Sequence, residues 1–165
     1  MNIRQSLSAV VVAAMCVSTV PVVSAADRTG YAGIGVGRSN LDRSGFDDDT
    51  SYKIFGGYQF NKNVAFEGAY INLGDFESNS STVSVDGFQA TALGMVPIGK
   101  KFRFFGKAGL FHNGGTDLTY GLGFEWGDKI GVRAEWERFT DVSGSADVDM
   151  LSVSVVFSFG SGRSK

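Results

Sequence analysis

Thr116-Asp117-Leu118-Thr119-Tyr120-Gly121-Leu122-Gly123-Phe124-Glu125-Trp126 is the stretch whose reading decides the fold. Leu118, Tyr120, Leu122, Phe124 and Trp126 take every second position, and Thr119, Gly121, Gly123 and Glu125 fill the places between. Successive side chains of an extended chain point to opposite faces, so this spacing predicts a β-strand with one large apolar face and one small polar face. A helix would scatter the same five large residues around its whole circumference.

Seven further segments repeat the pattern. In 31–38, Ala32, Ile34 and Val36 oppose Gly33, Gly35 and Gly37. In 51–60, Tyr52, Ile54, Tyr58 and Phe60 oppose Lys53, Phe55, Gly57 and Gln59; in 64–73, Val64, Phe66 and Tyr70 oppose Ala65, Glu67, Ala69 and Ile71. Segment 85–96 is less regular: Phe88, Ala90, Ala92 and Val96 share a face, while Gln89 and Thr91 share theirs with Leu93 and Met95. In 102–111, Phe102, Phe104, Ala108 and Leu110 oppose Arg103, Phe105, Lys107 and Gly109; in 130–139, Val132, Ala134 and Trp136 oppose Arg133, Glu135 and Glu137. The last, 149–159, sets Leu151, Val153, Val155, Phe157 and Phe159 against Ser152, Ser154, Val156 and Ser158.

The connections alternate as well. Residues 61–63, 97–101 and 127–129 are tight turns, whereas 39–50, 74–84 and 140–148 read as longer polar loops, and 112–115 is short for its place. Tight and long connections in alternation put all turns at one end of an up-and-down sheet and all loops at the other. The predicted fold is therefore all-β: an eight-stranded antiparallel up-and-down transmembrane β-barrel over 27–160, with 161–165 as a tail. A soluble sandwich would show the same alternation with its apolar face turned to a core. Two features favour the barrel. Glycine collects on the charged face, where eight strands leave a narrow interior, and aromatic residues collect at strand ends, as in an interfacial girdle. Charges in hydrocarbon cost about 2–4 kcal/mol each at the midplane, so the aromatic face is the lipid face. Tyr52, Phe66, Tyr70, Phe104, Tyr120, Phe124, Trp136, Phe157 and Phe159 are the expected lipid-facing aromatics.

Residues 1–26 read as a secretory signal peptide: Arg4 starts it, an apolar run follows to Val23, and Ser24-Ala25-Ala26 supplies the small residues of a cleavage site. Cys16, the only cysteine, goes with it, so neither disulfides nor thiolate metal sites are expected in the exported part. No run of about 20 apolar residues follows Val23, which excludes a helical membrane protein. The formal net charge of −2 becomes about −3 without Arg4, which argues against nucleic acid or anionic headgroups as electrostatic partners.

Phe55-Gly56-Gly57-Tyr58-Gln59-Phe60-Asn61, Ala65-Phe66-Glu67-Gly68-Ala69-Tyr70 with Leu73-Gly74, Phe104-Phe105-Gly106-Lys107-Ala108-Gly109, Tyr120-Gly121-Leu122-Gly123, Arg133-Ala134-Glu135-Trp136-Glu137-Arg138-Phe139 and the terminal Phe157-Ser158-Phe159 occur in that order. In this ordered set the chain resembles the OmpA-like outer-membrane β-barrel family. The resemblance covers nearly all of 31–159. It implies an eight-stranded outer-membrane barrel with periplasmic turns and surface loops. The expected setting is the outer membrane of a Gram-negative cell, with membrane lipid as surroundings, the last strand recognised by the barrel-assembly machinery, and a monomer. Two departures stand out. No peptidoglycan-binding domain is expected, since six residues follow Phe159, and the family's last strand usually ends on the aromatic itself.

On the face opposite the aromatics lie Lys53, Arg103, Lys107 and Arg133 together with Glu67, Glu125, Glu135 and Glu137. Four bases and four acids in a narrow lumen should pair. Such a cluster serves either as a polar plug or as the gate of a low-conductance solute pore. A lipid-modifying enzyme would need a nucleophile beside a base. His112, the sole histidine, has no serine within several residues, so neither a catalytic residue nor a cofactor is expected. Asp47-Asp48-Asp49 lacks the alternate spacing of a calcium loop, and Gly33-Ile34-Gly35-Val36-Gly37 is not followed by the helix a dinucleotide site needs. The serine- and asparagine-rich 76–82 carries no recognition chemistry. What remains is a structural or surface-interaction barrel, with a small pore as the alternative.

Overall fold

The computed structural model describes residues 29–41, 49–78, 81–142 and 146–160; the expected signal peptide, the tail 161–165 and Asp47-Asp48 lie outside them. Eight strands follow one another: β1 (Thr29–Leu41), β2 (Asp49–Gln59), β3 (Val64–Ser78), β4 (Ser81–Ile98), β5 (Phe102–His112), β6 (Thr116–Gly127), β7 (Ile130–Val142) and β8 (Ala146–Phe159). Each pairs antiparallel with its neighbour in sequence, and β1 pairs with β8 from Gly30↔Phe159 to Leu41↔Val148, closing the barrel. No helix among the described residues is long and apolar enough to cross a membrane. The strands do the crossing.

The wall is built as the alternation requires. Ile34, Val36, Phe66, Leu122, Trp126, Leu151 and Phe159 are each more than half exposed, while Lys53, Glu67, Lys107, Arg133, Glu135 and Glu137 are buried. A soluble sandwich would invert this, so the apolar exterior excludes it. At the loop end the change from lipid to water falls at matching rungs of all four hairpins. The outward pairs Val36↔Tyr52, Tyr70↔Phe88, Leu110↔Leu118 and Trp136↔Leu151 are followed two positions on by Arg38↔Thr50, Asn72↔Asp86, His112↔Thr116 and Arg138↔Asp149. On β8 the apolar side runs from Leu151 to Phe159, roughly 27 Å along the strand and roughly 21 Å along the normal at the usual tilt, close to the band that a membrane barrel presents.

One connection differs from its sequence reading. Residues 74–78 and 81–84 are strand rather than loop: β3 and β4 stay paired from Asp75↔Ser84 to Ser78↔Ser81, beyond a bulge between Asn72 and Asp75. Gly74 absorbs the bulge with φ 98°, its N–H donating to Asn72 Oδ1 at 2.8 Å. Above the membrane both faces of a hairpin meet water, so the alternation that marks a strand disappears while the ladder continues. The other two loops shorten for the same reason, β1 reaching Leu41 and β7 reaching Val142. At the opposite end, Pro97 and Ile98 belong to β4, and the turn is reduced to the residues around Gly99, φ 71°.

Candidate functional site

The interior is organised around three cations, Lys53, Lys107 and Arg133, that each touch more than one carboxylate. Lys107, on β5, places Nζ 2.6 Å from Glu137 Oε1, 3.1 Å from Glu135 Oε2 and 3.3 Å from Glu67 Oε1. Lys53, on β2, reaches Glu137 Oε2 at 2.7 Å and also contacts Glu135. Arg133, on β7, donates from Nη1 to Glu67 Oε2 at 2.6 Å and from Nε to Glu125 Oε2 at 3.0 Å. Arg103, nearer the turn end, pairs with Glu125 and donates from Nη1 to Gln59 Oε1 at 3.0 Å. All eight sequence-assigned lumen charges therefore lie in one connected network. The side chains of Lys53, Glu67, Lys107, Glu135 and Glu137 have 0% of their surface exposed, whereas Arg103 keeps 25% of its side chain exposed at the mouth.

Neutral groups complete the network. Tyr31 donates its hydroxyl to Glu67 Oε2 at 3.0 Å, and Gln89 Nε2 donates to both Glu137 Oε1 and Thr119 Oγ1 at 3.0 Å. The Arg133 guanidinium stands over three rings, 4.6 Å from the centroid of Phe55, 5.0 Å from Phe105 and 5.3 Å from Tyr31. Cation–π attraction and charge-assisted hydrogen bonds thus act on one side chain. Room for the rings comes from glycine: Tyr31↔Gly57, Gly33↔Phe55 and Phe105↔Gly123 are direct cross-strand pairs, and a Cβ on any of the three glycines would run into the opposing ring. Sequence reasoning missed Tyr31 and the stacking of Phe55 and Phe105. The available signal was an aromatic side chain on the otherwise charged and glycine-rich face. Tyr31→Phe is expected to lower stability by about 1.5–3 kcal/mol, the range for a hydrogen bond to a charged group, measurable by urea unfolding in bilayers.

Both ends of the fully buried part of the network are covered. Towards the loops, Phe111 and Phe139 pack edge to face at 4.9 Å, among fully buried Ile71, Leu73, Val148 and Met150. Towards the turns, Tyr31, Phe55 and Phe105 fill the lumen under Arg133. On the outside, Tyr52, Phe66, Phe104, Tyr120, Phe124, Phe157 and Phe159 are exposed, and Tyr70 and Trp136 are partly so. His112 also faces outward, with Nδ1 3.1 Å from Thr116 Oγ1. No group of three or more potential metal ligands occurs among the described residues.

Residues 8–159 match the family described as outer membrane protein beta-barrel domain. The chain belongs to that family. This outer-membrane barrel accordingly resides in the outer membrane of a Gram-negative cell. Among solved structures it is similar to Ail, the attachment invasion locus protein of Yersinia pestis, crystallised with the heparin analogue sucrose octasulfate: 17% identity, TM-score 0.57, covering 81% of this chain and 99% of Ail. It is also similar to Neisserial surface protein A, with 16% identity, TM-score 0.58 and coverage of 80% and 97%. The N-terminal barrel of Pseudomonas aeruginosa OprF gives 14% identity, TM-score 0.56 and coverage of 78% and 97%. No curated protein matches the chain. At these identities the shared property is the barrel itself.

Proposed function

We propose that this protein is a sealed, non-enzymatic barrel that serves the envelope structurally and presents its loop end at the cell surface. The observation that carries this reading is the interior: a charge-balanced network with no exposed surface at its centre, capped by apolar side chains towards the loops and aromatic ones towards the turns. A solute path would require breaking several multiply shared ion pairs and displacing Phe111 and Phe139 together. Surface presentation is supported by β3 and β4, which at 15 and 18 residues exceed the roughly 9–11 that cross a membrane. Their surplus stands as a paired hairpin above the lipid boundary at Tyr70↔Phe88. Attachment, named for Ail, is a surface task of this kind.

The alternative, a low-conductance pore gated by partner exchange, draws on Lys107 and Arg133 each holding more than one acid. A planar-bilayer recording on refolded protein decides between them. The sealed barrel is expected to give no conductance steps between −150 and +150 mV (on the order of physiological potentials), and neither Glu125→Gln nor Arg133→Gln should create a regular one. Stepwise openings in the unmodified protein that either substitution abolishes would overturn the sealed reading.

A further inference from the structure

The formal net charge of −2 conceals two oppositely charged ends among the described residues. The lumen charges cancel. At the loop end lie Asp86, Asp117, Asp141, Asp147 and Asp149 against Arg38 and Arg138. At the turn end the sign reverses among the described residues: Lys62, Lys100, Lys101 and Lys129 are all exposed, with Asp128 as the acid between them. The low net charge that argued against anionic headgroups therefore does not describe this end.

Three observations say what these lysines face. First, each follows closely on the lipid belt: Lys62 is two residues from exposed Phe60 and Val64, Lys100 is two from Ile98, Lys101 adjoins Phe102, and Lys129 adjoins exposed Ile130. Lysine stems can lie along apolar surface while the ammonium reaches the headgroup layer. Second, the turns are fastened to the wall. Met95 N–H donates to Asn63 O at 2.7 Å, Gly127 N–H to Lys101 O at 2.9 Å, and Ser158 N–H to Lys129 O at 2.9 Å. The lysines thus start from a fixed rim. Third, the three turns follow β2, β4 and β6, so the positive charge is spread around that rim.

We propose that the lysine rim at the turn end binds the headgroups of anionic phospholipids in the leaflet it borders. Each ammonium attracts a phosphodiester over about a Debye length, and several acting together select anionic over zwitterionic lipid. Lysines this close to the belt stand at headgroup depth, which favours a lipid over a soluble polyanion.

The test uses the barrel refolded in micelles containing equal amounts of phosphatidylglycerol and phosphatidylcholine with the same acyl chains, with co-retained lipid counted by native mass spectrometry. Expected is about fivefold enrichment of phosphatidylglycerol at low salt, falling towards parity at high salt. Lys62→Gln/Lys100→Gln/Lys101→Gln/Lys129→Gln should retain both lipids equally, whereas Arg38→Gln at the other end should leave the enrichment unchanged. Equal retention by the unmodified barrel, enrichment that survives the fourfold substitution, or its loss in Arg38→Gln alone would overturn the proposal. Should the fourfold variant not refold, Lys62→Gln/Lys129→Gln decides in the same way, with enrichment roughly halved if the rim binds and unchanged if it does not.

Discussion

Lys107→Met is expected to lower the unfolding free energy by about 3–5 kcal/mol, as found when one partner of a buried ion pair is removed. Lys107 meets three carboxylates, those of Glu67, Glu135 and Glu137, and none of them has exposed surface through which water could substitute. Met fills the same volume, so the loss is one of charge. Lys53 and Arg133 then face the three acids without their shared partner. The double variant Lys107→Met/Glu137→Gln restores balance and leaves the amide able to bond Gln89, so at least half of the lost stability should return. Urea unfolding in bilayers, followed by the fluorescence of Trp126 and Trp136, gives both values. A single-variant loss below about 1 kcal/mol, or a double variant no better than the single, would show that packing rather than pairing holds the interior.

Gly109→Val is expected to prevent stable folding, read as disappearance of the heat-modifiable band on a gel. Gly109 faces the lumen between Thr91 and Thr119. A Cβ there would overlap the Ala90 carbonyl oxygen, with Thr91 Cα at 2.7 Å, and both are backbone atoms held in the sheet. Overpacking against side chains costs about 1–3 kcal/mol; against a fixed ladder the cost exceeds that range. Gly94→Ala is the contrasting case. Gly94 faces outward and a Cβ there meets nothing within 4 Å, so a change within about 0.5 kcal/mol is expected. Equal tolerance at the two positions would show that the close approach at Gly109 is not required.

The barrel was legible because one physical demand, lipid on one side of the wall and a narrow interior on the other, acts on every residue between the two membrane boundaries. Thr116–Gly127 shows this most clearly, and even the irregular β4 keeps Gln89 and Thr91 inside with Leu93 and Met95. Where the demand stops, so does the signal. The paired stretches 75–78 and 81–84 read as a loop because their sequence lacks period-two alternation, although the ladder continues through them. Within the lumen, alternation identified the charged residues but not their partners. Lys53 meets Glu137 across 84 positions of sequence, and Arg133 meets Glu67 across 66. Such contacts are set by barrel closure and shear, which period-two patterning does not encode. Tyr31 was missed because its hydroxyl matters only once Glu67 is placed beneath it.

The enclosed network also constrains how such a sequence can change. Residues on the lipid face are expected to tolerate exchange among large apolar types, since the hydrocarbon around them has no fixed shape. An interior acid cannot be lost alone without cost, because its former partners would remain as uncompensated charge in the middle of the lumen. Substitutions at Lys53, Glu67, Lys107, Arg133, Glu135 and Glu137 must therefore arrive in compensating pairs or pass through a weakened intermediate. The lumen is therefore expected to diversify in steps of two residues, and the exterior one residue at a time.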